Sequence, residues 1–273
     1  LEALNEAMLR AYDIQYLVTK DTGRSGGFAE KIEACRACGC TPVIIGRPRK
    51  EKGLSVTACR QQMIDRLGLR PPVKVTLIGI GPGREDAMTE EGIKALQEAD
   101  FVIGSGRMLD CVRGKKPLLD AYCSEEIAGF IDGHRGYERF AVLLSGDTGF
   151  YSGAKKLYQA LTKSDTEDSV QILTGVSSIS YFAARLGTSW DDAVIASNHG
   201  RKQALIPLIR DHEKVFSILG KPEDAAELAQ KLVGYGMAEV KLSVGERLSY
   251  ADEKITVGAA KEFCDFRHDP LSV

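Results

Sequence analysis

No run of apolar residues in the 273-residue sequence approaches the roughly 20 that a membrane-spanning helix needs. Neither sign of charge is in excess: 36 Lys and Arg against 38 Asp and Glu leave a formal charge of −2. A general nucleic-acid binder would carry a basic surplus or stripe. The N-terminus lacks the basic, apolar and small-residue grading of a secretory signal. It also lacks an initial Met, and Leu1 opens directly into an amphipathic segment, as in a chain cut from a longer one. Seven Cys is an odd number in a long, core-rich sequence, which reads as reduced and cytoplasmic. Cys35, Cys38 and Cys40 stand close together, but a zinc site wants a second ligand pair nearby. They read as core thiols at a helix end, and no metal is expected. There is no Gly-x-Ser-x-Gly elbow and no His-Glu-x-x-His, and four His leave little room for a multi-His centre.

What is present is ordinary globular composition, 44% hydrophobic and 27% charged, in a chain long enough to bury a core without staples. Its length suits one or two domains with part of another. Short apolar runs alternate with helical patterns. The runs are 42–46, 73–80, 101–104, 141–146, 170–174, 193–197 and 215–219; the helical segments between them include 89–99, 152–162, 178–186 and 222–235. Buried strands alternating with helices predict α/β architecture with parallel sheets. Thr89 suits a helix N-cap ahead of Glu90 and Glu91, Pro222 a first helical position, and Gly234 and Gly236 that helix's exit. Residues 240–247 and 254–257 alternate as antiparallel strands do. A helix over 55–67 is expected to bury Val56, Cys59, Met63 and Leu67. Pro71-Pro72 cannot continue it, so a domain boundary is placed at about residue 72, and a second near 175–180.

Four polar turns follow apolar runs, where open α/β sheets hold ligands. The first is Gly79-Ile80-Gly81-Pro82-Gly83, a tight turn or a loop that lets a ligand approach the backbone; it is neither a Rossmann fingerprint nor a P-loop. The second is Ser145-Gly146-Asp147-Thr148-Gly149-Phe150-Tyr151-Ser152, in which Asp147 either accepts from a ligand or organises an Asx-type turn. The third is Gly175-Val176-Ser177-Ser178, with Ser177 a plausible N-cap. The fourth is Ser197-Asn198-His199-Gly200-Arg201, offering an acid or base in His199 and an anion partner in Arg201, or neither.

In this order, LIGIGPG, LLSGDTGFYSGA, GVSSISYFAARLG and ASNHGR closely resemble the tetrapyrrole methylase family over about residues 73–273. They look most like its members that methylate carbon 5 of a corrin precursor. The resemblance implies a two-domain α/β fold, residues 73–176 and 177–273, with an S-adenosylmethionine cleft between the domains. It implies cofactor contacts at Gly79, Gly81, Pro82, Asp147, Phe150, Ser177, Ser178 and Ala196. Tyr151 and His199 are candidates to assist proton loss. One departure is Thr174 where the family usually has Pro before the glycine. The implied substrate is a corrin precursor rich in carboxylates. Methylation and decarboxylation at carbon 15 would fall to a separate protein, and dimers are common among relatives. Residues 1–72 resemble the C-terminal end of precorrin-6A reductase, through Val18-Thr19-Lys20-Asp21, Gly26-Gly27-Phe28 and Glu30-Lys31. The resemblance implies a partial α/β reductase lobe of about two strands and three helices. The reductase's nucleotide-binding half is not in the sequence, so no NADPH turnover is expected of it.

Overall fold

The computed structural model describes residues 2–22, 26–46, 53–110, 112–163, 167–197, 204–270 and 272–273. It divides into two compact units, Leu1–Ser55 and Val56–Val273.

The first unit holds α1 (Glu2–Ala11), β1 (Tyr16–Lys20), α2 (Phe28–Cys38) and β2 (Thr41–Ile45). The strands pair in parallel, with Tyr16 opposite Thr41. The buried core is small: Leu9, Ala34, Cys35 and Cys40. The clustered cysteines are thus core thiols at the end of α2. Burial, then the hydrogen bond to Cys40 and the neighbouring thiols, pushes Cys35 up to about 11. A thiol held there stays protonated and unreactive at neutral pH.

The third helix expected in this lobe, α3 (Val56–Leu67), belongs to the second unit. Its buried side also differs from expectation. Val56, Cys59, Met63 and Leu67 are exposed, and Ile64 is the buried residue. Polar contacts decide the orientation. Arg60 pairs with Glu138, and the Gly136 amide donates to Gln61 Oε1 at 2.7 Å.

The second unit is built on a five-stranded parallel sheet of β3 (Lys74–Gly79), β4 (Phe101–Gly104), β5 (Leu118–Asp120), β6 (Arg139–Leu144) and β7 (Ser169–Leu173). Its spatial order is β5-β4-β6-β3-β7. Side chains alternate across it with period two. Val75, Leu77, Phe101, Ile103, Phe140 and Val142 enter one core with residues of α5 (Ser124–Gly133) and α6 (Ala154–Leu161). Ile78, Val102, Ala141 and Leu143 enter another with Leu96 of α4 (Glu90–Glu98). Cover on both faces is why these strands read as continuous apolar runs. Thr89 caps α4 as expected, accepting from the Gly92 amide at 3.1 Å.

Beyond this sheet come α7 (Ser178–Leu186), β8 (Val194–Ser197), α8 (Leu205–Asp211), β9 (Val215–Ile218), α9 (Asp224–Gly234), β10 (Lys241–Glu246) and β11 (Lys254–Ala259). β8 and β9 pair in parallel, and β10 and β11 antiparallel. Residues 272–273 stitch the two pairs. The Leu219 amide donates to Ser272 O at 3.2 Å, while Val273 and Gly245 exchange backbone hydrogen bonds. Pro222 lies before α9 rather than at its first position. The turn there is closed by Asp224 Oδ2, which accepts from the Gly220 and Lys221 amides at 2.7 and 2.9 Å. Among the described residues no helix is long and apolar enough to cross a membrane.

A buried ion pair fixes the entry to the sheet. Arg135, 3% exposed, donates twice to Asp168 at 2.8 Å and once to Pro71 O at 2.8 Å. Asp168 Oδ1 also accepts from the Val73 amide at 3.0 Å. The double-proline segment is therefore tied down at the foot of β3. Replacing Arg135 by Met removes both short hydrogen bonds to Asp168 and leaves Arg70, 3.7 Å away, as a nearby cation, which is expected to cost about 1–3 kcal/mol. Urea unfolding followed by circular dichroism checks this as a lowered midpoint.

Candidate active site

The strand order places a ligand site before any side chain is considered. The β3-to-β4 connection passes through α4 on one face, and the β6-to-β7 connection through α6 on the other. Neighbouring strands whose connections leave to opposite faces open a crevice at their C-terminal ends. That crevice lies between β3 and β6.

Three of the four glycine-rich turns meet there through their backbones. Gly81 and Gly146 exchange hydrogen bonds, N to O, at 3.1 and 2.9 Å. Gly175 passes so close that a Cβ on it would lie 2.2 Å from Gly146 O and 2.6 Å from the Gly79 carbonyl carbon. No larger residue fits that crossing.

Past the crossing the turns line a cavity of about 720 Å³ with Pro82, Asp147, Phe150, Tyr151 and Ser178 among its walls. Asp147 Oδ1 accepts from the Gly149 amide at 3.0 Å and from Thr174 Oγ1 at 3.1 Å. Asp147 is thus an Asx-type turn organiser that also faces the cavity, and Thr174 ties the third turn to the second. Among the described residues Asp147 Oδ2 accepts no hydrogen bond. Phe150 packs against the cluster containing Ile179, Phe182 and Leu248. Tyr151 is held edge-on to Phe150 at 4.8 Å between centroids, with a left-handed φ of 45°. Such a conformation in a bulky residue is uncommon and clusters at functional sites.

The other described residues expected at the site stand behind the wall. Gly79 and Gly81 shape the crossing but do not line the cavity. The Ser177 hydroxyl caps α7, accepting from the Ile179 amide at 3.2 Å. Ala196 is fully buried, and its neighbour Ser197 reaches the cavity. His199, with Asn198, Gly200 and Arg201, lies outside the described residues.

Besides Ile218 and Leu219 at the end of β9 and Pro270, Ser272 and Val273 near the C-terminus, two further wall segments lie outside the residues expected from sequence. Residues 105–108 form a turn directly after β4. They obey the same strand-end rule as the others, and the apolar run 101–104 could have pointed to them. The second is the turn from β10 to β11, carrying Arg247, Leu248 and Tyr250. Glu253 braces it by accepting from the Ser249 amide at 2.7 Å and from Arg185 Nε at 2.7 Å. Burial works against the Glu253 carboxylate, but the Ser249 amide, the Tyr181 hydroxyl and Arg185 outweigh it and hold the carboxyl below its usual range. Tyr181 is pushed up, first by burial and then by facing Glu253.

The sequence matches the profile described as Tetrapyrrole (Corrin/Porphyrin) Methylases over residues 74–264. The chain belongs to this family. Residues 1–67 match a second profile, Precorrin-6x reductase CbiJ/CobK. Over 207 residues the methylase is 32% identical to a probable cobalt-precorrin-7 C(5)-methyltransferase of Methanocaldococcus jannaschii, covering 73% of this chain and 95% of the relative. Two solved structures share the fold. The cobalt precorrin-4 methyltransferase CbiF has a TM-score of 0.59 at 21% identity, covering 70% of this chain and 87% of that one. A uroporphyrin-III C-methyl transferase of Thermus thermophilus, complexed with S-adenosyl homocysteine, has a TM-score of 0.56 at 18% identity, covering 70% and 86%.

Because its folded pKa is depressed, Glu253 contributes stability that is present above the unfolded value of about 4.3 and lost as pH falls through the folded value. Glu253→Gln should therefore melt below the native chain at pH 6, and the gap should close on acidification below about pH 4. Thermal melts across this range check the sign.

Proposed function

We propose that this methylase transfers a methyl group from S-adenosylmethionine to carbon 5 of a corrin precursor, cobalt-precorrin-7, in cobalamin biosynthesis. The match along 95% of the Methanocaldococcus jannaschii relative carries the choice of position. The crevice at the β3/β6 switch point supports the transfer itself. In this proposal carbon 15 is methylated by a separate protein.

The residues present fit the methyl donor. The cavity volume of about 720 Å³ falls within the range of about 300–1,000 Å³ usual for small-molecule sites. Gly146 lines it with a left-handed φ of 67°, and a Cβ there would meet nothing within 4 Å. The backbone is therefore bare to a ligand. The walls mix apolar surface (Met108, Phe150, Leu219, Leu248) with the hydroxyls of Ser145, Ser178 and Ser197 and with Asp147. That mixture suits an adenosine bearing a polar, charged tail. Pro82, Gly146, Asp147, Phe150 and Ser178 would hold it.

The bound donor supplies a methyl group already activated on a sulfonium. The chain's own task is to align the acceptor carbon in line with that methyl and to keep water away. Positioning alone can supply about 7–11 kcal/mol of barrier reduction. Phe150, Tyr151 and Leu248 provide a water-excluding wall. Tyr151 is placed on the cavity where it could take part in proton loss from the macrocycle.

A second proposal, reduction by the N-terminal part, is favoured only by the reductase match over residues 1–67. One anaerobic experiment separates the two. The purified chain is incubated with cobalt-precorrin-7 and cobalt-precorrin-6A, carbon-13-labelled S-adenosylmethionine and NADPH. The expected product carries one labelled methyl at carbon 5 by NMR, with NADPH unconsumed. Label at another carbon overturns the assigned position. No transfer together with NADPH oxidation replaces it with the reductase.

A further inference from the structure

The cavity wall contains one arginine whose charge the protein leaves unused. Arg107, half-buried in the turn after β4, lines the cavity and has no ion pair among the described residues. The other arginine on the cavity wall, Arg247, is compensated, as are Arg84 and Arg185 beyond it. Arg247 pairs with Asp252 at 2.6 Å and lies 3.7 Å from Asp269. Arg84 pairs with Asp86, and Arg185 with Glu253 at 2.7 Å. A cation kept half-buried without a carboxylate gives up hydration that its neutral neighbours only partly replace, and an anion would complete the exchange.

Arg107 is also held in place. Its Nη1 donates to the Tyr250 hydroxyl at 2.7 Å, and its guanidinium carbon lies 5.6 Å from the Tyr250 ring centroid. Tyr250 is itself clamped. The Arg247 guanidinium carbon lies 5.0 Å from the same centroid, and a Cβ on Gly83 would come within 2.3 Å of the ring. The Pro82–Gly83 turn therefore presses on the ring from the chain that follows β3. Tyr250 acts as a post between two strand-end turns, and Arg107 is fixed to it. The cost of ordering a long side chain is paid before any ligand binds.

Topology says which part of a ligand Arg107 meets. The proposed donor seat is at the β3/β6 switch point, with Asp147 at the end of β6. Arg107 follows β4, which pairs with the far side of β6. It therefore stands one strand outward from the proposed donor seat, at a part of the cavity that the donor would leave open to the acceptor.

Resting on the methyl transfer proposed above, we propose that Arg107 binds a peripheral carboxylate of the macrocycle, and that Tyr250 is the positioning residue that presents it. The planar guanidinium suits a carboxylate bidentately, which a lysine cannot reproduce. Arg107 in this role sets the register of the macrocycle against the donor, and hence bears on which carbon is brought in line.

The test uses the full chain and the variants Arg107→Met, Arg107→Lys and Tyr250→Phe. Two quantities are measured for each: the KM for cobalt-precorrin-7, and the dissociation constant of S-adenosylhomocysteine by calorimetry. Arg107→Met should raise KM about 10–100-fold, the usual scale for losing a charge-assisted hydrogen-bonded pair. Arg107→Lys should recover only part of that loss. Tyr250→Phe should raise KM by a smaller factor. Affinity for S-adenosylhomocysteine should stay within twofold throughout, a result that a general folding defect would not give. A KM for Arg107→Met within twofold of the native value overturns the assignment. So does a loss of S-adenosylhomocysteine affinity matching the loss in KM, which would move Arg107 to the donor side. Failure of the native chain to bind S-adenosylhomocysteine or to transfer methyl instead counts against the methyl transfer itself.

Discussion

Everything at the site depends on three backbones meeting where no side chain fits. Gly79 ends β3, Gly146 and Gly175 follow β6 and β7 by two residues, and the three approach until a Cβ on Gly175 would sit 2.2 Å from a carbonyl oxygen. That contact, with the hydrogen bonds between Gly81 and Gly146, locks three strand ends into one floor. The chains then diverge, carrying Pro82, Asp147 and Ser178 out to the cavity wall. The hydrogen bond from Thr174 to Asp147 adds a side-chain link between two of the turns. A proline at position 174 would have no hydroxyl to make it. Thr174 thus serves by bonding the turn where the family's usual proline would stiffen it.

Much of this was legible in the sequence for a physical reason. Strands covered on both faces are continuous apolar runs, and the turns beyond them are glycine-rich because backbones must touch. Those two signals located β3, β6 and β7 and the floor of the site. They could not tell a lining side chain from one that supports the lining. Ser177 spends its hydroxyl on the N-terminus of α7 while Ser178 faces the cavity, and Ala196 and Ser197 are both buried although Ser197 alone borders the cavity. Arg107 and Tyr250 were not found. They are 143 residues apart, neither lies in a glycine-rich motif, and only the folded sheet brings them together. Apolar spacing alone points to the wrong face of α3, whose buried residue is Ile64. Arg60 and Gln61, bonding to the segment at 136–138, set the helix's orientation instead.

The same helix shows how a joined sequence is divided by packing. The reductase profile runs to residue 67 and the methylase profile starts at 74, yet the compact units part at residues 55 and 56. α3 matches one family and packs with the other. Arg135 extends the hold by gripping Pro71 and, through Asp168, Val73. Arginine therefore serves two opposite ends in this unit. Arg135 is buried and satisfied by carboxylates and a carbonyl, and it organises the fold. Among the described residues Arg107 is bonded to Tyr250 alone, and the proposal gives its charge to a ligand.

The central claim is that the crevice between the ends of β3 and β6 is the donor seat. A crystal structure of the chain with S-adenosylhomocysteine tests it most directly. The ligand should lie against Pro82, Gly146, Asp147, Phe150 and Ser178, with the sulfur turned towards the part of the cavity bounded by Arg107 and Tyr250. Density for the ligand anywhere else, with this crevice filled by solvent, would contradict it.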